Sequence, residues 1–309
     1  MSSNPQTDIP SLEGKVVLVT GGTAGLGARS VVQLAQRNPA CIYFIGRNAK
    51  AADAVIQEAT ATTPASKTNI RFLPCDLASL ASVKAAADTM LAEQSRLDVV
   101  LANAGIMNAP PSLTQDGYEL QFGVNYLGHA LLVRKLLPLL EQTAAAPGSD
   151  VRVVVLSSTG FVAHPGDGIQ FNRLKTGQDF TLLGPLVRYG QSKLADVLLA
   201  RELARRYPSI LSVSVTPGIV ATDLVNNLGA FHRGLAKLAA LLRQGGLMTP
   251  DDGAKGLLWC VDASRGEIRA GEFYEPVGVH SKVATKRSGD MDLAKRLWEW
   301  TNVELEKWM

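Results

Sequence analysis

Lys15-Val16-Val17-Leu18-Val19-Thr20-Gly21-Gly22-Thr23-Ala24-Gly25-Leu26-Gly27 is the stretch that decides the fold. Its first six residues form an apolar, β-branched run of strand length. Leu26 then opens a segment with helical spacing that reaches Arg37, and Pro39 closes it. Between the two, the glycines permit a tight turn and let the backbone come close to whatever the loop holds. A helix that starts at such a turn presents free N–H groups and the positive end of its dipole, which suits a pyrophosphate. A glycine-rich loop alone also fits a plain flexible turn. Its place between the first strand and first helix of a βαβ unit makes it a dinucleotide signal.

The pattern repeats outward from this loop. Residues 41–45, 70–75, 98–102, 151–157 and 211–216 are further apolar runs without polar alternation, as expected of strands buried on both faces of a parallel sheet. Helical spacing fills the gaps, for example over 79–95, with Asp76 and Ser79 available as capping residues. Strand and helix alternating at this pitch predict an α/β fold, a doubly wound parallel sheet with helices on both faces. The expected organisation is one domain over 1–309. It comprises a tail at 1–13, a dinucleotide-binding and catalytic core at 14–276 with a substrate lid at about 219–249, and a helical extension at 277–309.

Composition excludes several classes. With 46% hydrophobic and 19% charged residues, the 309-residue chain is too apolar to be disordered as a whole. Lys and Arg total 31 against 28 Asp and Glu, and this net charge of +3 is scattered, which argues against a nucleic-acid partner. Cys41, Cys75 and Cys260 stand far apart, offering neither a disulfide framework nor a metal site. Residues 1–14 lack an apolar signal core, and no apolar run reaches the ~18 residues of a membrane span. A soluble cytoplasmic protein without stable membrane insertion is expected.

With the spacing Gly21-x-x-x-Gly25-x-Gly27, the loop resembles the fingerprint of the short-chain dehydrogenase/reductase family. Further matches follow in family order: Asp76-Leu77, Asn103-Ala104-Gly105, Asn125, Ser157-Ser158, Tyr189-Gly190-Gln191-Ser192-Lys193 and Pro217-Gly218. The resemblance spans about residues 14–276. It implies a Rossmann-like fold and nicotinamide-cofactor contacts at Gly21, Thr23, Gly25, Leu26 and Gly27. By the same resemblance Asp76 would bond the adenine, with Leu77 beside it. Asn103, Ala104 and Gly105 would shape the adenosine-ribose side, although Asn103 also reads as a turn residue. Tyr189, Lys193, Pro217, Gly218, Val220 and Thr222 would line the nicotinamide side, Thr222 at the carboxamide.

Cofactor choice is set after the second strand. A carboxylate there would accept from a ribose 2′-OH and repel a 2′-phosphate. The chain has Gly46-Arg47-Asn48 and no acid until Asp53. In the family such an arginine favours NADP(H), because a guanidinium pairs with phosphate. The family's other NADP marker, a basic residue before the middle glycine, is absent at Ala24. Arg47 also fits a plain solvated charge.

Tyr189 and Lys193 are four apart, one face of a helix, about 6 Å between Cβ atoms. A free phenol titrates near ~10 and is a poor neutral-pH catalyst, whereas an ammonium beside a phenol stabilises its phenolate. The resemblance makes Tyr189 the proton donor to a developing alkoxide and Lys193 its partner, which also holds the nicotinamide ribose. Ser158 would orient the carbonyl, with Ser157 as the alternative. Asn125 would connect Lys193 to solvent through a backbone distortion and a water, or else be a satisfied core amide. The catalytic set is therefore Asn125, Ser158, Tyr189 and Lys193.

Ser158 and Tyr189 are 31 positions apart, further than in compact family members. The extra residues resemble the retinol-dehydrogenase-like and carbonyl-reductase-like branches. They can cover the helix face used for dimerisation or shape the substrate mouth, and monomer and homodimer both stay open. His164 in this excursion reads as a surface residue. Phe231, Leu235, Leu238 and Leu242 recur at helical spacing among the basic residues His232, Arg233, Lys237 and Arg243. This is an amphipathic lid over the pocket, or a membrane-surface helix. The expected activity is NADP(H)-dependent reduction of a hydrophobic ketone or aldehyde to an alcohol, or its reverse. A biosynthetic cyclase or isomerase and a non-catalytic NADP(H) sensor are the alternatives.

Overall fold

The computed structural model describes residues 11–64, 66–180, 183–221, 234, 240–241, 244 and 246–309. In chain order its elements begin β1 (Val16–Thr20), α1 (Gly25–Ala35), β2 (Cys41–Gly46), α2 (Ala49–Thr62), β3 (Asn69–Pro74), α3 (Leu80–Glu93) and β4 (Val99–Ala102). A short turn, Leu120–Phe122, runs through the π-helical Gly123–Leu127 into α4 (Gly128–Ala144). Then come β5 (Val151–Leu156), a 3-10 segment (Thr159–Ala163), α5 (Gly184–Arg206) and β6 (Ile210–Val215). The chain closes with α6 (Pro250–Asp262), β7 (Phe273–Glu275), β8 (Val279–His280) and α7 (Met291–Leu305).

The strands form one sheet in the order β3-β2-β1-β4-β5-β6-β7-β8, parallel except for β8 against β7. Side chains alternate along β1, and both faces are buried. Val17 and Val19 join a core with α1, α2 and α6, while Val16 and Leu18 join one with α3, α4, α5 and α7. The order reverses between β1 and β4, so a crevice opens at their carboxyl ends, the place where such sheets bind ligands.

Two expectations need correction. Residues 70–75 were expected to be buried on both faces, but β3 is the sheet edge, and Asn69, Arg71 and Pro74 are exposed. An edge strand has one neighbour and less cover. Residues 277–309 are not purely helical, because β8 pairs as a hairpin with β7, Tyr274 opposite His280. Both strands are too short for a periodic signal. The tail residues 1–10, Thr222, and the proposed lid side chains Phe231, Leu235, Leu238 and Leu242 lie outside the described residues.

The C-terminal helix closes the core behind the crevice. Leu293, Leu297, Trp298 and Leu305 are buried, and α7 packs along α5. Trp298 is covered by the guanidinium groups of Arg134 and Arg206, 4.0 and 4.9 Å from its ring. Thr301 donates to Leu297 O, so the Tyr126 hydroxyl, 2.6 Å away, donates to Thr301 and ties α7 to the π-helical turn. All three cysteines are buried, and burial pushes their thiols up to about 11 or 12, away from reactive thiolate.

Candidate active site

The glycine-rich loop packs on itself. Gly21 and Gly25 hold φ of +66° and +53°, which a side chain rarely adopts. A Cβ on Gly27 would lie 2.2 Å from Gly21 O and 2.6 Å from Asn103 Nδ2. Asn103 supports the loop from below, its Nδ2 donating to Thr20 O at 2.8 Å. Thr20 Oγ1 in turn accepts from the N–H groups of Asn103 and Ala104. Helices α2, α3, α6 and α7 have side-chain caps from Asn48, Ser79, Thr249 and Asp290. By contrast α1 has none at Ala24 and no acid in its first turn. Its free N–H groups fit a phosphate.

The other expected cofactor positions also fall at strand ends around this crevice. Asp76 closes an Asx turn by accepting from Ala78 N at 2.9 Å, and Leu77 beside it is buried. Gly46 faces Thr23, whose Cγ2 would be 2.8 Å from an added Cβ, while Arg47 is exposed next to it. Val220 is buried and bridges to Met248. Gly253 meets both Leu26 and Val220, bringing the starts of α1 and α6 to the segment after Pro217-Gly218.

On α5, Tyr189 and Lys193 are both buried, with Nζ 6.0 Å from the phenol ring. Ser157 and Ser158 divide. Ser157 is buried and donates to Lys193 O at 2.7 Å, so it serves the helix. Ser158 is half-buried, with Oγ accepting from Gly160 N at 3.0 Å. A Cβ on Gly160 would lie 3.1 Å from the Tyr189 ring and 3.2 Å from Ser158 Oγ, so the two groups converge there. Gly190 lets the 159–163 segment lie directly on α5, since a Cβ would stand 2.8 Å from backbone atoms of Ala163 and His164.

Asn125 sits in the π-helical turn. Its amide is fully used, receiving from Ile106 N at 2.8 Å and donating to Ile106 O and Ser192 Oγ, each at 2.9 Å. Its backbone carbonyl accepts from His129 Nδ1 at 2.7 Å. Thr20 Oγ1 already accepts two N–H groups, so its one proton goes to His129 Nε2, 2.7 Å away. That assigns the proton of His129 to Nδ1. Burial pulls this imidazole down to about 4, with Lys193 opposing a further charge, and it stays neutral. A chain of hydrogen bonds thus joins the end of β1 to Asn125.

Two polar side chains flanking Tyr189 buckle the 164–180 excursion to α5. Arg188 donates to Gln178 O and Ala109 O at 3.0 and 2.7 Å, and pairs with Glu119 at 3.3 Å, both charges fully buried. Gln191 donates to Gln178 Oε1 and accepts from Gln170 N. His164 is half-buried, tied to Pro165 O and Thr285, rather than a free surface residue. Arg188, His129 and Asp196 were missed from sequence. Their only signal is a polar residue in an apolar helix, and their partners come from distant segments.

A sheet with this switch point, this loop and this tyrosine–lysine helix defines a dinucleotide-dependent oxidoreductase. The family model for short chain dehydrogenase matches residues 15–168. The short-chain dehydrogenase/reductase drtF of Aspergillus calidoustus is 37% identical over 97% of the chain and 96% of its own length. Retinol dehydrogenase 11 of Homo sapiens is 35% identical over 97% of the chain and 88% of its own. A crystal structure of a Mycobacterium paratuberculosis protein superposes with a TM-score of 0.72 at 28% identity, covering 99% of this chain and 98% of that one. The chain belongs to the short-chain dehydrogenase/reductase family, on its retinol-dehydrogenase-like branch, and is a nicotinamide-dependent oxidoreductase of the carbonyl–alcohol class. Among the described residues no helix is long and apolar enough to cross a membrane.

Proposed function

We propose that the protein is an NADP(H)-dependent reductase of hydrophobic ketones or aldehydes, with Tyr189 as the proton donor. The observation that carries this reading is the convergence of Ser158 and Tyr189 at Gly160, with Lys193 on the same helix face behind them. The bound nicotinamide supplies the hydride. Ser158 holds the carbonyl oxygen, Tyr189 protonates it as charge develops, and Lys193 keeps an ammonium close to the phenol. Asn125 and His129 hold the loop and the turn that face them. Val162 and Leu186, 51% and 41% exposed on the segments flanking Tyr189, support an apolar substrate. Loss of NADPH absorbance across a panel of apolar ketones, aldehydes and quinones tests the reading. Turnover with none of them, alongside tight NADPH binding, would remove it.

The serine pair gives a separable expectation. Ser158→Ala lowers turnover about tenfold or more, at a stability cost of about 1 kcal/mol for the lost cap on Gly160 N. Ser157→Ala costs about 1 kcal/mol of stability through its lost bond to Lys193 O and leaves the rate nearly intact. Reversed rate effects in steady-state kinetics would assign the carbonyl contact to Ser157.

NADP(H) preference rests on Arg47 and on the space at Gly46, where Thr23 leaves little room for a carboxylate. Arg47→Asp should weaken NADPH binding by about tenfold to a hundredfold and NADH binding little, since a charge-assisted bond to phosphate is worth about 1.5–3 kcal/mol. Fluorescence titration with both cofactors decides this, and equal losses would leave Arg47 a solvated charge.

A further inference from the structure

Lys193 is held from behind. Its Nζ donates to Leu156 O at the end of β5 at 2.7 Å and to Asp196 Oδ2 at 2.8 Å. Tyr189, Lys193 and Asp196 stand at i, i+4 and i+7 of α5, one helix face, and exposure falls from 6% to 3% to 0% along it. Asp196 Oδ1 is buried with no hydrogen-bond partner among the described residues. A carboxylate so placed is only half satisfied. As a purely structural feature, the pair is a poor alternative to the apolar side chains of Leu194, Val197 and Leu198 around it. Burial pushes the Asp196 carboxyl up from 3.8 to about 7, against the pull of Lys193.

We propose that Asp196 is a positioning residue that fixes Lys193 and stores the proton that Lys193 passes to Tyr189 in each reduction. This rests on the reading of Tyr189 as proton donor. Tyr189 gives its hydroxyl proton to the alkoxide oxygen, and the Lys193 ammonium reprotonates the phenolate. The Asp196 carboxyl then returns a proton to the Lys193 amine and is left ionised until solvent restores it. The hydride to carbon is the only electron transfer, and the stored proton ends on the alcohol oxygen. In oxidation the proton runs the other way, into an ionised Asp196.

The neighbouring groups leave Asp196 free to titrate in this range. Lys193 is its partner on α5. Tyr126, from the π-helical turn, feels the Asp196 charge and is raised by burial, so its phenol stays neutral. Arg134 on α4 acts on Tyr126, and His129, which feels Lys193, is neutral above about 4. Reduction is therefore favoured below about 7 and falls as pH rises through it, and oxidation does the reverse. The native chain also keeps a proton that the unfolded chain releases between 3.8 and about 7. That contribution to stability is present at acid pH and is lost as pH rises through this window.

Asp196→Asn keeps an oxygen for Nζ but stores no proton. In the 309-residue chain we expect reductive kcat at about pH 6 to fall about tenfold, with its decline toward pH 8 flattened and the NADPH Kd within about twofold of wild type. Without cofactor, the melting temperature of the variant loses the part of the wild-type decline across the same window that Asp196 contributes. A variant with wild-type profiles in both measurements overturns the proposal. A wild-type reductive rate that does not change from about pH 6 to 8 also overturns it, even where the variant fails to fold. If Asp196→Asn changes neither profile while Tyr189→Phe loses turnover, Asp196 fails and the catalytic reading stands. If Tyr189→Phe keeps its turnover, the catalytic reading itself falls.

Discussion

Tyr189→Phe is expected to bind NADPH as the wild type does and to lose turnover by about 10² or more, the size of effect general-acid groups carry. The substitution removes one oxygen from a buried ring and keeps the packing of α5 against the 159–163 segment at Gly190. Ser158 Oγ and the Lys193 ammonium stay where they are, so the variant isolates proton delivery from positioning. Single-turnover kinetics beside cofactor titration separates chemistry from binding. A Phe variant within about threefold of wild type in kcat would mean that another group protonates the oxygen.

Arg188→Leu should lower stability by about 3–5 kcal/mol, the cost of leaving one member of a buried ion pair alone. Glu119 would remain buried, already pushed upward by burial despite the N–H groups of Phe122 and Gln121 and the charge of Arg188. The carbonyls of Gln178 and Ala109 would lose their donors as well. For a chain of this length the melting temperature should drop on the order of 10 °C. Adding Glu119→Gln should recover part of the loss, because a neutral amide is cheaper to bury than an unpaired carboxylate. A single variant that melts within about 2 °C of wild type would show that water reaches the pair. Because Arg188 precedes Tyr189, the same variant should loosen the excursion tied to α5 beside Tyr189 and raise KM more than it lowers kcat.

Much of the site was legible because its signals are local. The tyrosine–lysine pair needs only one helix turn, and the glycine loop needs only its neighbours. The residues alone do not separate Ser157 from Ser158, and only the family resemblance put Ser158 first. Two adjacent serines at a strand end point to opposite sides, and the pleat together with α5 decides which one meets the interior. The resemblance made Asn125 a relay, with a satisfied core amide as the alternative. Its amide is consumed by Ile106 and Ser192, while its carbonyl is taken by the ring of His129 one helical turn on.

By itself the sequence determined the βαβ order, the phosphate-type loop, the family and the face shared by Tyr189 and Lys193. Hydrophobic period and short spacings survive in any tertiary context that buries them. Only the tertiary structure decided that β3 is an edge, that β8 extends the sheet, and that Arg188 and Glu119 meet. It also decided that Asp196 sits behind Lys193 as a half-satisfied buried acid. Buried charges carry no period, and what they do depends on partners and dielectric that exist only once distant segments have packed.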